Sequence, residues 1–152
     1  MRLITPTILV LLLFCFQKST AQKAIPLALK EEYKKAMRLS LSFENDSSAW
    51  LLQKVLVQLK ENKQHRSTFG IQVLELHATV MERGEHNQKA AELLLEATQI
   101  AQELKEYPSQ LRAQLSFALL YEKSDQHDLC ANYLQNARQL IKTQDLDSLY
   151  AP

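Results

Sequence analysis

Glycine and proline are scarce: the 152-residue chain holds two glycines and four prolines. So few glycines exclude the Gly-rich turns that cradle phosphate groups, which need backbone without a Cβ. Past the leader, strand-like alternation of polar and apolar residues is absent, and apolar residues fall mostly at helical spacing. Catalytic signatures are missing as well, with no Gly-x-Ser-x-Gly, no paired-cysteine motif and no His-Glu-x-x-His. The chain therefore reads as non-enzymatic, and no cofactor and no resident metal are expected. Charge of one sign is also lacking: residues 22–152 carry 16 Lys and Arg against 17 Asp and Glu. That balance supplies no basic face for nucleic acid or an acidic membrane. Of two cysteines, Cys15 lies in the leader and Cys130 is alone in the rest. One thiol cannot form an internal disulfide, so stability must come from helix packing.

What is present begins with MRLITPTILVLLLFCFQKSTAQ. A basic residue, Arg2, a greasy run from Ile8 to Phe16 and small residues Ser19 and Ala21 describe a secretory signal peptide over 1–21. A membrane span needs about 18–20 apolar residues, more than this run supplies. Cleavage after Ala21 and export to a periplasmic or other extracytoplasmic space are expected, with an uncleaved anchor as the alternative. Phe14 precedes Cys15 where lipidation wants a small residue, so no lipid is expected there.

The remainder, 22–148, reads as one all-α domain of six amphipathic segments. They run from about Ile25 to Phe43, Ala49 to Asn62, Thr68 to Arg83, Gln88 to Glu106, Gln110 to Lys123 and Leu129 to Thr143. Asp46 or Ser47 is expected to cap the second segment and Ser109 the fifth, after Tyr107-Pro108 ends the fourth. Linkers this short force neighbours to lie antiparallel, which gives three helix pairs over about 25–62, 67–106 and 109–143.

The pairs repeat. Laying 71–101 over 111–141 gives identities at Ala78/Ala118, Glu82/Glu122, Ala91/Ala131, Leu94/Leu134, Ala97/Ala137 and Gln99/Gln139. Upstream, Ala36 falls over Ala78 and Ala49 over Ala90. Two antiparallel helices approach closely only where facing side chains are short, so Ala78, Ala90, Ala97, Ala118, Cys130 and Ala137 are expected at helix crossings, with Leu94 and Leu134 filling the grooves beside them. Each pair leaves an apolar face uncovered, so the pairs must stack.

This arrangement of small residues resembles the tetratricopeptide repeat. In that family a small residue falls in mid helix A, then Ala near the start and middle of helix B, here Ala78, Ala90, Ala97 and then Ala118, Cys130, Ala137. The resemblance covers roughly Ala24 to Thr143. It departs from the usual pattern in a period near forty and in lacking the early Trp and following Gly of helix A. It implies a right-handed solenoid that binds a protein segment through helix A side chains. Carried onto this chain, those positions are Gln72, Glu75, Thr79, Glu82, Arg83, Arg112, Leu115, Leu119, Glu122 and Lys123.

Other residues carry weaker signals. His86 and His127, with Glu85, Asp125 and Asp128 nearby, could form a metal or small-ligand site if stacking brings their loops together, or stand as solvated loop residues. His77 aligns with Phe117 and is expected to pack, and His65 lies in a polar linker. Trp50 is expected to wedge between helix pairs. Asn45-Asp46-Ser47 fits the N-glycosylation pattern but reads more simply as a turn and cap. Leu149-Tyr150 looks like the opening of another helix A, so 149–152 could begin a further repeat. The leading expectation is an exported interaction module for a protein or peptide, with no nucleic acid bound and no membrane span after the leader. The rivals are the extracytoplasmic sensor arm of a larger signalling protein, such as a histidine kinase or transcriptional regulator, and a periplasmic metal or small-ligand binder.

Overall fold

A computed structural model describes residues 24–146. The leader and Leu149-Tyr150 lie outside that span. The described chain consists of six helices and no strands: α1 Leu27–Leu41, α2 Asn45–Glu61, α3 Thr68–Arg83, α4 Asn87–Leu104, α5 Tyr107–Lys123 and α6 His127–Gln144. Each packs on the next along the chain. In addition α1 touches α3, and α3 touches α5, so the odd-numbered helices form one layer of a stack of helix pairs.

Both internal boundaries argued from serine caps move. α2 starts at Asn45, ahead of Asp46 and Ser47, and its N-cap position, Glu44, makes no side-chain cap bond. Ser48 is instead buried in the α1–α2 crossing, where its hydroxyl donates to the Ala36 carbonyl at 2.8 Å. Likewise α5 starts at Tyr107, taking Pro108 into its first turn. Proline is tolerated there because the first-turn N–H groups have no intrahelical partner in any case. Ser109 is thereby a buried helical residue rather than a cap. Among the described helices the one N-terminal side-chain cap is Ser67, whose Oγ accepts from the Gly70 N–H at 3.1 Å and donates to the Gln64 carbonyl at 2.7 Å.

All six helices end the same way. Phe43, Lys63, Glu85, Lys105, Asp125 and Asp145 adopt positive φ, and the N–H that follows each bonds back to a carbonyl five residues earlier, as Glu106 does to Ala101 at 2.9 Å. This is the left-handed helix stop that usually recruits glycine. The chain has almost none, and even Gly84 sits at φ −84°, leaving the strained position to Glu85.

The core follows the small-residue pattern. Ala78, Ala90, Ala97, Ala118 and Ala137 are buried, and Leu52, Leu59, Ile71, Leu74 and Ile100 fill the space around them with no more than 1% exposure. Burying a leucine or isoleucine contributes about 2 kcal/mol, so these contacts outweigh the exposed ion pairs that decorate the stack. Between α1 and α3, Tyr33 meets Phe69 edge-on at 5.4 Å; between α5 and α6, Tyr133 stacks on Phe117 at 4.8 Å and on Tyr121 at 5.4 Å.

Two expected packing residues lie elsewhere. Trp50 does not wedge between pairs: it is 66% exposed on α2, on the face away from buried Leu52 and Val55, where it lines a hollow with Leu39 and Lys35. Leu134 is 41% exposed although Leu94, forty residues earlier, is 4% exposed. The difference is positional. α5 covers α4, whereas no described helix covers α6, and Cys130 is for the same reason only half-buried.

Candidate functional site: a groove across the odd-numbered helices

The layer of odd helices carries a groove. Tyr33 from α1, Gln72, Glu75, Leu76 and Thr79 from α3, and Arg112 and Ser116 from α5 line a hollow of about 610 Å³. Helical spacing explains the α3 contribution, since 72, 75, 76 and 79 fall on one stripe. Arg112 and Ser116 occupy the corresponding stripe forty residues on. At the far end of the same layer, Glu82, Arg83 and Lys123 join Phe43, Asn45, Glu85 and Asn87 around a second hollow.

Glu75 is the electrostatic centre of the groove. Its Oε2 accepts from the Arg112 guanidinium at 3.2 Å, while Oε1 is buried without a hydrogen-bond partner. Burial raises its pKa above the ordinary carboxylate value, against the opposing pull of Arg112. Tyr33 beside it is raised too, first by burial and then by the Glu75 charge.

The ten positions carried over from the resemblance do not behave alike. Gln72, Glu75, Thr79 and Arg112 meet in the first hollow, and Glu82, Arg83 and Lys123 in the second. Five of these seven, however, are tied to another helix, and the Thr79 hydroxyl donates to the Glu75 carbonyl at 3.0 Å. Arg112 pairs with Glu75, Lys123 pairs with Glu82, and Arg83 donates to Ser40. The recurrence of Arg83 and Lys123 therefore marks ties between successive odd helices, with Glu82 receiving the second. Leu115, Leu119 and Glu122 sit beyond them on α5 and are exposed. Tyr33, Leu76 and Ser116 line the groove without having been singled out in the sequence. For the latter two the signal was present: each lies four residues past Gln72 or Arg112, on the same face.

The histidines divide. His77 is buried at 4% exposure, its Nδ1 lacks a partner, and burial, aided by the Lys89 charge, lowers its pKa to about 4. His86 stands at the N-cap position of α4 and His127 begins α6; both are exposed. Among the described residues, no group of three or more His, Cys, Asp and Glu side chains is placed to hold a metal ion. Nor is any described helix long and apolar enough to cross a membrane.

No protein-family model matches the chain, and no curated protein matches its sequence.

Proposed function

We propose that this chain is an exported, non-enzymatic interaction module of the tetratricopeptide kind, binding an extended protein segment along the groove of α1, α3 and α5. The observation that carries the reading is that three successive odd helices contribute to one hollow, Tyr33, Glu75 and Arg112 each coming from a different helix. A surface assembled from separate repeats is suited to a ligand that runs across them rather than to a compact small molecule. Its lining mixes polar and apolar groups, as peptide-reading surfaces do.

Selection of peptides from a displayed random library on the purified protein tests this. Recovered peptides should lose at least about tenfold in affinity to Thr79→Arg and to Ser116→Arg, which fill the hollow. They should be unaffected by Gln99→Arg on the exposed side of α4. Peptides that bind all three variants equally would place the binding surface elsewhere, and failure to recover any peptide would remove the reading.

A further inference from the structure

The groove adjoins a smaller and more apolar space. Between α3, α4 and α5 lies a crevice of about 120 Å³. Ala78, Ala90, Leu94 and Leu120 form its floor, each no more than 4% exposed. Thr79 and Ser116 line both the crevice and the groove hollow, so they stand at the rim where one meets the other. These rim residues are short. At the preceding step of the stack their places fall to Met37 and Leu76, so the α1–α3 step carries large apolar side chains where the α3–α5 step carries small polar ones.

We infer that this crevice receives one aliphatic side chain, about the size of leucine, from the segment bound in the groove; the inference rests on the groove being the binding surface. Three observations select that occupant. The floor offers only carbon, and a polar side chain pushed against it would lose its hydrogen bonds to water without replacement. The polar groups nearer the mouth are already engaged: the Thr79 hydroxyl donates to the Glu75 carbonyl at 3.0 Å, and the Glu82 carboxylate is paired with Lys123. Neither calls for a polar or charged visitor.

Size narrows the choice further. A dry apolar cavity of about 150 Å³ holds a benzene ring. A space of about 120 Å³ is therefore short of a phenyl group but ample for a branched aliphatic chain. Leu119 completes the argument. It lines the crevice, is 56% exposed, and would be covered by an aliphatic side chain entering the mouth, which adds apolar burial on both partners. An anchor of this kind, seated in a pocket beside a more polar surface, is where binding energy concentrates.

Titration calorimetry on peptides recovered by the library selection decides this. The peptides should share one position held by Leu, Ile or Met, and replacing it by Ala should weaken binding to the wild type at least about tenfold. Leu119→Asp, at an exposed position outside the groove hollow, sets a carboxylate in the crevice mouth. On that variant the aliphatic peptide and its Ala form should bind within about twofold of each other. Gln72→Arg, in the groove hollow and away from the crevice, should weaken both forms and keep their ratio. Peptides weakened by Gln72→Arg that share no aliphatic position, or whose preference for it survives Leu119→Asp, overturn the inference and leave the groove reading standing. Peptides indifferent to Gln72→Arg, or a selection that recovers none, overturn the groove reading and this inference with it.

Discussion

Arg83 reaches back from the last turn of α3 to Ser40 in the last turn of α1, donating to its carbonyl at 3.1 Å and to its hydroxyl at 3.1 Å. One repeat later Lys123 does the corresponding thing to Glu82. Each odd helix is thus tied to its predecessor by a cation near its C-terminus, where the helix dipole also favours positive charge. The Arg83 guanidinium lies, in addition, 5.7 Å from the centre of the exposed Phe43 ring.

Removing one tie should loosen one step of the stack. Arg83→Ala is expected to destabilise the protein by about 1 kcal/mol, because Ser40 is buried and loses its partner, while the arginine itself is exposed and screened. Arg83→Lys should restore only part of that, since one ammonium cannot match the guanidinium fork. Urea unfolding with Ser40→Ala and the double variant measures the coupling through the hydroxyl, and additive effects would show that the hydroxyl contact contributes nothing.

Gly70 and Gly84 make a sharper contrast. A Cβ on Gly70 would lie 1.9 Å from the His65 carbonyl oxygen, which the Ser67 cap presses against the first turn of α3. Neither backbone can retreat without breaking that cap, so Gly70→Ala should cost about 3 kcal/mol or more. A Cβ on Gly84 would meet the His86 ring at 3.3 Å, a side chain free to swing into solvent. Gly84→Ala should therefore be neutral or stabilising by up to about 0.5 kcal/mol. Equal losses at both sites, measured by thermal melting, would contradict this account of the α2–α3 linker.

Much of this fold was legible because packing leaves a periodic trace. Ala78, Ala90 and Ala97, met again as Ala118, Cys130 and Ala137, define helix crossings through their size alone, and the third helix falls at Thr68–Arg83, where the apolar spacing puts it. Less legible were features decided by context. Ser48 and Ser109 have the chemistry of caps but are consumed in the core, and Pro108 reads as a breaker though it opens a helix. Whether Leu134 is buried depends on what covers α6, which no property of Leu134 itself records. In the groove, the resemblance to the tetratricopeptide repeat pointed to Gln72, Glu75, Thr79 and Arg112. It could not show that Arg83 and Lys123 are spent on neighbouring helices, because partners forty residues away leave no local pattern.

The left-handed helix ends invite stabilisation. Lys63 and Lys105 both hold positive φ at exposed positions, a conformation that costs L-residues about 1 kcal/mol and glycine nothing. Lys63→Gly and Lys105→Gly should each stabilise by about 0.5 kcal/mol once glycine's greater unfolded-state entropy is subtracted. Lys105→Val should destabilise by more than about 1 kcal/mol, since a β-branched residue fits this region worst. Denaturant midpoints provide the measurement, and a stable Lys105→Val protein would show that these helix ends are not fixed in the left-handed form.

His77 gives the stack an acid limit. In the unfolded chain it titrates near 6.5, whereas burial foremost, and then the Lys89 charge, brings the folded value to about 4. Between those values the unfolded state binds the proton and the folded state does not, so stability is fully present above pH 6.5 and declines as the pH falls toward 4. The loss amounts to roughly 2 kcal/mol after allowing for residual solvent screening. His77→Leu removes the titrating group and its unpartnered Nδ1, and should raise stability at neutral pH by about 1 kcal/mol. Its advantage over the wild type should then widen as the pH drops. Carboxylates elsewhere titrate in both proteins and cancel in the difference, so unfolding curves at about pH 7.5 and about pH 5 isolate the histidine. A constant gap between the two proteins would mean that His77 is protonated in the folded stack, and that its place between the helices is wetter than its burial implies.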